Sequence, residues 1–356
     1  MIVHVFTANR IHLVPNIISG FLKHTNLEKQ YFLLVGENNF NKGVYSNLFS
    51  EFESSNYKIL TSYKELKKEG KKFKKDSIIL HGVPYKWMIF FVFNGFKDVK
   101  WVCWGAGARI NKSNWKSILF TPIKRILYKR LNNVGVLMPQ DGISLMADYK
   151  LNNISLLSYF GTIGLFPFTE DDIKTKNNTR FPKKVYLGNN SACISTYLPI
   201  SKKLSKFKND IYVVCMLNYS FVESEISETL KIEGERIFGN MFFMDTRLYT
   251  INEYYNYMKD CDIYICDINK QTGLGAIFTC LRLGKKLFLS GINYQWMKDL
   301  GCEVFHTKEI DKMDRDTFLK ELSFQDKIKN YNIVNSYLDL DKILNGWSDF
   351  AGISKK

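Results

Sequence analysis

Apolar runs and amphipathic stretches alternate along the first 160 or so residues. Short β-like runs fall at Ile2–Phe6, Tyr31–Gly36, Ser77–His81, Val99–Cys103, Val134–Met138 and Ile154–Phe160. Helical spacing recurs between them near Pro15–Lys23, Tyr85–Phe93, Asn114–Leu131 and Gly142–Tyr149. That alternation predicts a parallel sheet wrapped by helices. Apolar periodicity then stops over the polar stretch Thr169–Arg180, closed by Pro182, which reads as a linker. A second alternation follows, with strands at Lys184–Leu187 and Ile211–Leu217 and a short run at Met241–Met244. Its helices lie near Ser195–Phe207, Ser224–Phe238 and Asn252–Lys259, and beyond Thr307 the chain reads as mainly helical and polar. The expected fold is α/β, with two Rossmann-like, doubly wound domains in series and a cleft between them. Their expected bounds are 1–168 and 183–330, with 331–356 a helical tail folding back on the first domain.

The segment Asp262–Lys286 is the most informative part of the second half. A strand with Ile263 and Ile265 leads into a glycine-bearing turn at Gly273-Leu274-Gly275. A helix runs from there to Gly284, and a strand at Lys286–Ser290 follows at once. Such a unit must be βαβ, since a parallel neighbour is reached only by crossing over. Glycines at a helix start let backbone approach a ligand closely, and the exposed amides attract an anion, so a phosphate or diphosphate is the natural guest. The turn is neither G-x-G-x-x-G nor a phosphate loop ending in GK[ST].

Composition narrows the partners. The chain has 356 residues, too many for one ordinary core, and 46% hydrophobic content excludes disorder. Fifty basic against 35 acidic residues give a formal charge of +15, which favours a polyanionic partner: nucleic acid, an anionic membrane face or a phosphorylated substrate. Basic residues occur in both halves without a nucleic-acid motif, so no nucleic-acid partner is expected. Seven cysteines without a C-x-x-C read as buried free thiols in a reducing cytoplasm. The chain starts directly in a strand-like run rather than a secretory signal. Its most apolar window, Trp87–Phe93, is far too short to span a bilayer.

In open α/β sheets ligands gather at the carboxyl ends of strands, so the residues there are the site candidates. In the second domain these are Gly188-Asn189-Asn190-Ser191, Asn218-Tyr219-Ser220, Asp245-Thr246-Arg247 and Gln271-Thr272-Gly273. The small residues and amides suit oxygen-rich groups, Arg247 suits a phosphate, and Tyr219 can stack on a base. In the first domain they include His4, Glu37, His81, Trp104-Gly105 and Asp141. Glu37, His81 and Asp141 can each serve as a general base. A strand-end His81 can equally be a hydrogen-bonded structural residue, and Asp141 an N-cap.

The histidines form no ligand pair at helical spacing, and the D-x-D strings Asp314/Asp316 and Asp339/Asp341 lie in polar helical stretches, so neither a metal nor a cofactor is expected. Asn114–Leu131 is amphipathic with a basic face, and Pro122 implies a kink or break. It reads either as a core-facing helix with a solvated basic side or as a membrane-surface element. The lysine run Lys64–Lys75 reads as a solvated loop.

Several stretches, in order, resemble glycosyltransferase family 56, bacterial enzymes that transfer 4-acetamido-4,6-dideoxygalactose (N-acetylfucosamine) from its dTDP-sugar to a lipid-linked intermediate of enterobacterial common antigen. The resembling segments are His81-Gly82, Trp104-Gly105-Ala106 with Phe120–Arg125, Leu187–Ser191, Tyr254 with Cys261-Asp262, Gln271-x-Gly273-x-Gly275 and Asn293-x-x-Trp296. They span roughly residues 75 to 305. The resemblance implies the GT-B architecture, with a nucleotide-sugar donor in the C-terminal domain and the acceptor in the N-terminal one. It implies a lipid-linked saccharide acceptor in surface polysaccharide synthesis, reached by a cytoplasmic protein peripheral on the anionic inner-membrane surface. Donor residues would be Gly188–Ser191, Asn218, Tyr219, Arg247 and Gln271 through Gly275 (including Thr272 and Leu274), with Glu37, Trp104 and Gly105 on the acceptor side. The family tends to carry an acid just after the W-G-x element, where this chain has Gly107. Asp141 and His81 are therefore the expected acceptor bases. Lacking a metal site, the chain would neutralise the departing diphosphate with the amides at Gly273–Gly275 and Arg247.

Other classes remain to be weighed. A nicotinamide-dependent oxidoreductase needs G-x-G-x-x-G after the first strand, where this chain has Thr7-Ala8-Asn9-Arg10. Gly107 raises an inactive or retuned transferase, and the charge raises a non-enzymatic polyanion binder.

Overall fold

Strand β1 (Ile2–Thr7) is buried along almost its whole length, as a parallel strand covered on both faces must be. From it the chain passes through α1 (Val14–His24), β2 (Gln30–Val35), β3 (Tyr57–Leu60), α2 (Tyr63–Gly70), β4 (Ser77–His81), α3 (Tyr85–Phe93) and β5 (Asp98–Cys103). It continues through α4 (Trp115–Leu119), α5 (Thr121–Lys129), β6 (Asn133–Val136), α6 (Pro139–Tyr149) and β7 (Ile154–Leu156). Then come α7 (Asp171–Lys174), β8 (Lys183–Leu187), α8 (Ile194–Leu204), β9 (Ile211–Met216), α9 (Glu225–Phe238), β10 (Phe242–Asp245) and α10 (Ile251–Lys259). Strand β11 (Ile263–Cys266), α11 (Leu274–Arg282), β12 (Lys286–Leu289), α12 (Gly291–Asp299) and β13 (Phe305–His306) follow. The chain finishes with α13 (Arg315–Leu319), α14 (Phe324–Tyr337) and α15 (Leu340–Ala351). This computed structural model describes all residues except 9–13, 27–28, 37–55, 106, 111–114, 161–168, 175–180, 189–193, 219–222, 248, 250 and 356.

The strands make two sheets with only parallel pairings: β3-β2-β1-β4-β5-β6-β7 and β10-β9-β8-β11-β12-β13. In each, the chain winds outward on one side of its first strand and then returns to wind outward on the other. The reversal falls between β1 and β4 in the first sheet and between β8 and β11 in the second, the place where open α/β sheets hold ligands. Two units result: Met1–Gly164 with Asp339–Lys356, and Leu165–Leu338.

In the first unit, α2, α3, α5 and α6 cover one face of the sheet, burying Leu66, Trp87, Phe91, Leu127 and Leu145. Helix α1 covers the other face together with α15, whose Ile343, Leu344, Trp347 and Phe350 recur at helical spacing against Phe21 and Phe160. The Trp347 indole also donates to the Ser158 carbonyl at 2.9 Å. In the second unit, α14 packs on α11, bringing Tyr337 to 5.6 Å from Phe278 between ring centres. The boundary expected at 330/331 therefore falls inside α14, and the chain passes to the first unit only at 338/339.

One further expectation needs correction. The run Lys64–Lys75 is not a loop, because α2 occupies its first half and a 3₁₀ turn at Lys71–Phe73 follows, with Leu66 and Phe73 buried beneath the lysines. Pro122 sits in the first turn of α5 and divides Asn114–Leu131 into two helices. Strands β3 and β13 were not anticipated, being short edge strands. Six cysteines (103, 215, 261, 266, 280 and 302) are buried free thiols; Cys193 lies outside the described residues. No helix among the described residues is long and apolar enough to cross a membrane.

Candidate functional site

In the second unit the carboxyl ends of β8 and β11 flank the reversal point. Gly188 ends β8 with φ +63°, and its amide donates to Ile265 at 2.7 Å, tying the two strand ends together. A Cβ there would lie 2.0 Å from the Tyr197 hydroxyl, so only glycine fits. After β11 the chain turns through Gln271 and Thr272 into Gly273, which caps α11 in the left-handed region at φ +68°. No side chain caps this helix and its first turn holds no acid. An α-helix leaves its first amides without intrahelical partners, and its dipole favours negative charge at this end. Gly275 is exposed, and a Cβ built on it meets nothing within 4 Å among the described residues. None of their side chains stoppers the turn at this position.

Neighbouring residues hold this turn in shape. The buried Asn293 amide donates to the Thr272 carbonyl at 3.1 Å, which gives the Asn293-x-x-Trp296 element its structural role. Trp296 packs in the core beside Phe278. Asn218, after β9, donates to the Arg247 carbonyl at 2.9 Å and joins the next two loops. Arg247 is pinned rather than free: its Nε lies 3.2 Å from Asp245 Oδ1, and its guanidinium sits over the Tyr249 ring. Burial pushes the Asp245 carboxyl up, but hydrogen bonds from Arg247 and Tyr249 outweigh it and hold the group below its usual range. Asn189, Asn190, Ser191, Tyr219 and Glu37 lie outside the described residues. At the amino edge of the same sheet is a cavity of about 240 Å³ lined by Lys183, Asp262, Lys286 and Glu321. Its lysines are engaged: Lys286 by three carbonyls, Lys183 by the two carboxylates.

In the first unit, Asp141 lies in the first turn of α6, whose N-cap is Met138, so the carboxylate is not the cap. It is 2% exposed, and its Oδ2 has no partner among the described residues. Arg109 approaches Oδ1 at 3.8 Å. Burial pushes the carboxyl up to about 6, with Arg109 opposing. A desolvated carboxyl with one idle oxygen and a pKa near neutrality is poised for proton transfer. Arg109 was not singled out from sequence, although it stands just beyond the W-G-x element.

His81 does not fit the role of base. Its Nε2 lies 2.9 Å from His4 Nδ1 and its Nδ1 2.7 Å from the Tyr159 hydroxyl, and its ring stacks on Phe6 at 4.0 Å. Burial, then His4, holds it well below the usual histidine range. The two histidines do form a pair, through the β1–β4 pairing rather than sequence spacing. Trp104 donates to Tyr159 at 2.8 Å and covers Gly82, whose Cβ would lie 2.4 Å from the indole. Trp104 and Gly105 thus shape the carboxyl edge without supplying an ionisable group.

Gly107 has φ +92°, and a Cβ there would meet the Tyr85 hydroxyl at 2.5 Å and that of Tyr128 at 3.0 Å. Those tyrosines occupy the space an acidic side chain would need. Gly107→Asp is expected to lower the melting temperature, since positive φ alone costs about 1–2 kcal/mol, and to leave transfer no faster. Turnover above wild type in the variant would show that an acid is missing there. Among the described residues no three His, Cys, Asp or Glu side chains gather as metal ligands.

Two Rossmann-ordered parallel sheets in one chain, one with a glycine turn at its reversal point, make up the GT-B fold. The structure is similar to a glycosyltransferase from Rickettsia africae ESF-5 (TM-score 0.67, 14% identity, 98% of both chains). It is also similar to a UDP-forming α,α-trehalose-phosphate synthase from Burkholderia vietnamiensis (TM-score 0.62, 12% identity, 98% of both chains). A third similar structure is a UDP-GlcNAc 2-epimerase from Neisseria meningitidis, bound to UDP-GlcNAc (TM-score 0.56, 11% identity, 98% of this chain and 99% of that one). The protein is a glycosyltransferase. The family model described as "4-alpha-L-fucosyltransferase glycosyl transferase group 56" matches residues 1–337, and the chain belongs to that family.

Proposed function

We propose that this transferase moves a deoxyamino sugar, of the N-acetylfucosamine type, from a dTDP- or UDP-sugar to a lipid-linked saccharide in bacterial surface polysaccharide synthesis. The observation that carries the donor half is the start of α11 at the β8/β11 reversal point, which no side chain among the described residues caps. A diphosphate seated there meets the first amides of α11 and the positive end of its dipole. Gly188 and Asn218 border it in this reading; Asn189 through Ser191 and Tyr219, the other expected donor residues, lie outside the described residues. Arg247 adds a cation whose charge is shared with Asp245. As the bond between sugar and diphosphate breaks, charge grows on the leaving oxygen, and preorganised amides stabilise it without a bound cation. In the first unit Asp141 accepts the proton of the attacking acceptor hydroxyl, with Trp104 and Gly105 shaping the acceptor side.

The acceptor's lipid anchor puts the protein at the cytoplasmic face of the membrane. Incubation with dTDP-, UDP- and GDP-sugars, with and without a polyprenyl-diphosphate saccharide, tests the reading. Release of one nucleoside diphosphate that depends on the acceptor and persists in EDTA is expected. Failure of every nucleotide to bind in calorimetry would overturn it.

A further inference from the structure

Helices α3, α5 and α6 lie side by side on one face of the first sheet, their inner residues sharing one core. Their outer faces are apolar where helices facing water are usually polar. Trp115 is 67% exposed, Leu119 62%, and Ile123 and Ile126 55% each, while α4 buries no residue at all. Only Leu127 and Tyr128 of α5 turn inward. The stripe that reads equally well in sequence as core-facing thus points out. Ile89 and Phe93 of α3 and Ile143 and Met146 of α6 extend it on either side. Eleven of the 18 exposed large hydrophobic residues among the described ones fall between Tyr85 and Met146, so this is one patch rather than scatter.

The charge around it has a single sign. No Asp or Glu occurs from Val99 to Gln140, and none occurs on α3. Asp98 is paired with Lys100, Asp141 is buried, and Asp148 accepts from the Ile110 amide. Lys86, Lys116, Lys129 and Arg130 are exposed at the rim, Arg130 lying 4.9 Å over the Phe93 ring and Lys124 4.8 Å over Tyr85.

We propose that this face docks on an anionic lipid bilayer, with Trp115, Ile118 and Leu119 entering the headgroup layer and the lysines and Arg130 pairing with lipid phosphates. An apolar centre with a rim of lysine and no acid is the pattern of interfacial helices, whereas protein interfaces are depleted in lysine. A two-fold dimer through this patch sets the basic rim against itself. The inference rests on the reading of a membrane-borne acceptor for its purpose, though not for its geometry.

The test is flotation of the full chain with phosphatidylglycerol/phosphatidylcholine vesicles, followed by tryptophan emission. Wild type is expected to float with anionic vesicles and to shift its emission to the blue as Trp115 leaves water. Ile118→Ser with Ile123→Ser should weaken partitioning at least tenfold. Lys116→Ser with Lys129→Ser should weaken it about fivefold per lysine, and added salt should do the same. Wild type left in the soluble fraction at low salt, or variants that float like wild type, would overturn the proposal. So would a concentration-dependent dimer lost in the isoleucine variant without any flotation. Nucleotide calorimetry on the same proteins separates the two readings: flotation without nucleotide binding sinks the transferase mechanism alone, and nucleotide binding without flotation sinks the docking alone.

Discussion

Asp141→Asn is expected to slow sugar transfer by about 100- to 10,000-fold, the usual worth of a general base, while making the folded protein more stable at neutral pH. The two effects share a cause. In the folded protein the Asp141 carboxyl titrates at about 6, above its usual 3.8, because burial disfavours the charged form more than Arg109 favours it. Between those values the folded state holds a proton that the unfolded chain has released, so stability falls as pH rises from about 4 to 6 and stays lowered above. That shift of about two units is already net of Arg109's opposing pull, and a neutral amide recovers the corresponding amount, about 3 kcal/mol. Melting curves should show that gain at pH 7.5 and lose it at pH 4. Arg109→Gln should carry the acid limb of the rate profile upward from about 6, because the cation that lowers the carboxyl's pKa is gone. Transfer by the Asn variant within a few-fold of wild type would remove Asp141 from the mechanism.

Gly275→Asp should abolish donor binding, at least 100-fold in nucleotide affinity, and leave the fold at least as stable. The position is helical and exposed, and a Cβ there meets no neighbour within 4 Å among the described residues. A carboxylate in the first turn gains about 0.3–1 kcal/mol from the helix dipole, and aspartate is no poorer a helix former than glycine. The same charge occupies the place proposed for the diphosphate and repels it. Position 273 is a less clean probe, since its φ of +68° strains any β-branched replacement. Calorimetry of dTDP and UDP with Gly275→Asp and a Gly275→Ala control decides the matter. Unchanged affinity in the Asp variant would place the diphosphate elsewhere.

The alternation of apolar and amphipathic segments carried the architecture, because parallel strands buried on both faces leave little ambiguity about where they lie. Strands β3 and β13 escaped notice for the opposite reason: at the sheet edges, Tyr57–Leu60 and Phe305–His306 are only partly buried and too short to show a pattern. Periodicity marked the apolar stripe of Trp115, Ile118 and Ile123 but could not say which way it faces, since spacing defines a stripe and neighbours decide what covers it. Asp141 and the Gly273 turn could be singled out as candidates because strand ends are where α/β sheets place ligands. Arg109 was not, its relation to Asp141 depending on a fold-back across β6. His81 misled for a similar reason: whether a strand-end histidine meets solvent or His4 is settled by which strand pairs with which.

Helix α15 has a consequence for how the protein comes into being. Trp347, Phe350 and Ile353 belong to the same apolar cluster as Phe21 and Phe160, yet emerge from the ribosome only after the whole second unit has been made. Until then the face that α15 shares with α1 stays partly uncovered, a surface inviting chaperones or neighbouring nascent chains. The amino-terminal half, although translated first, is the last to be finished.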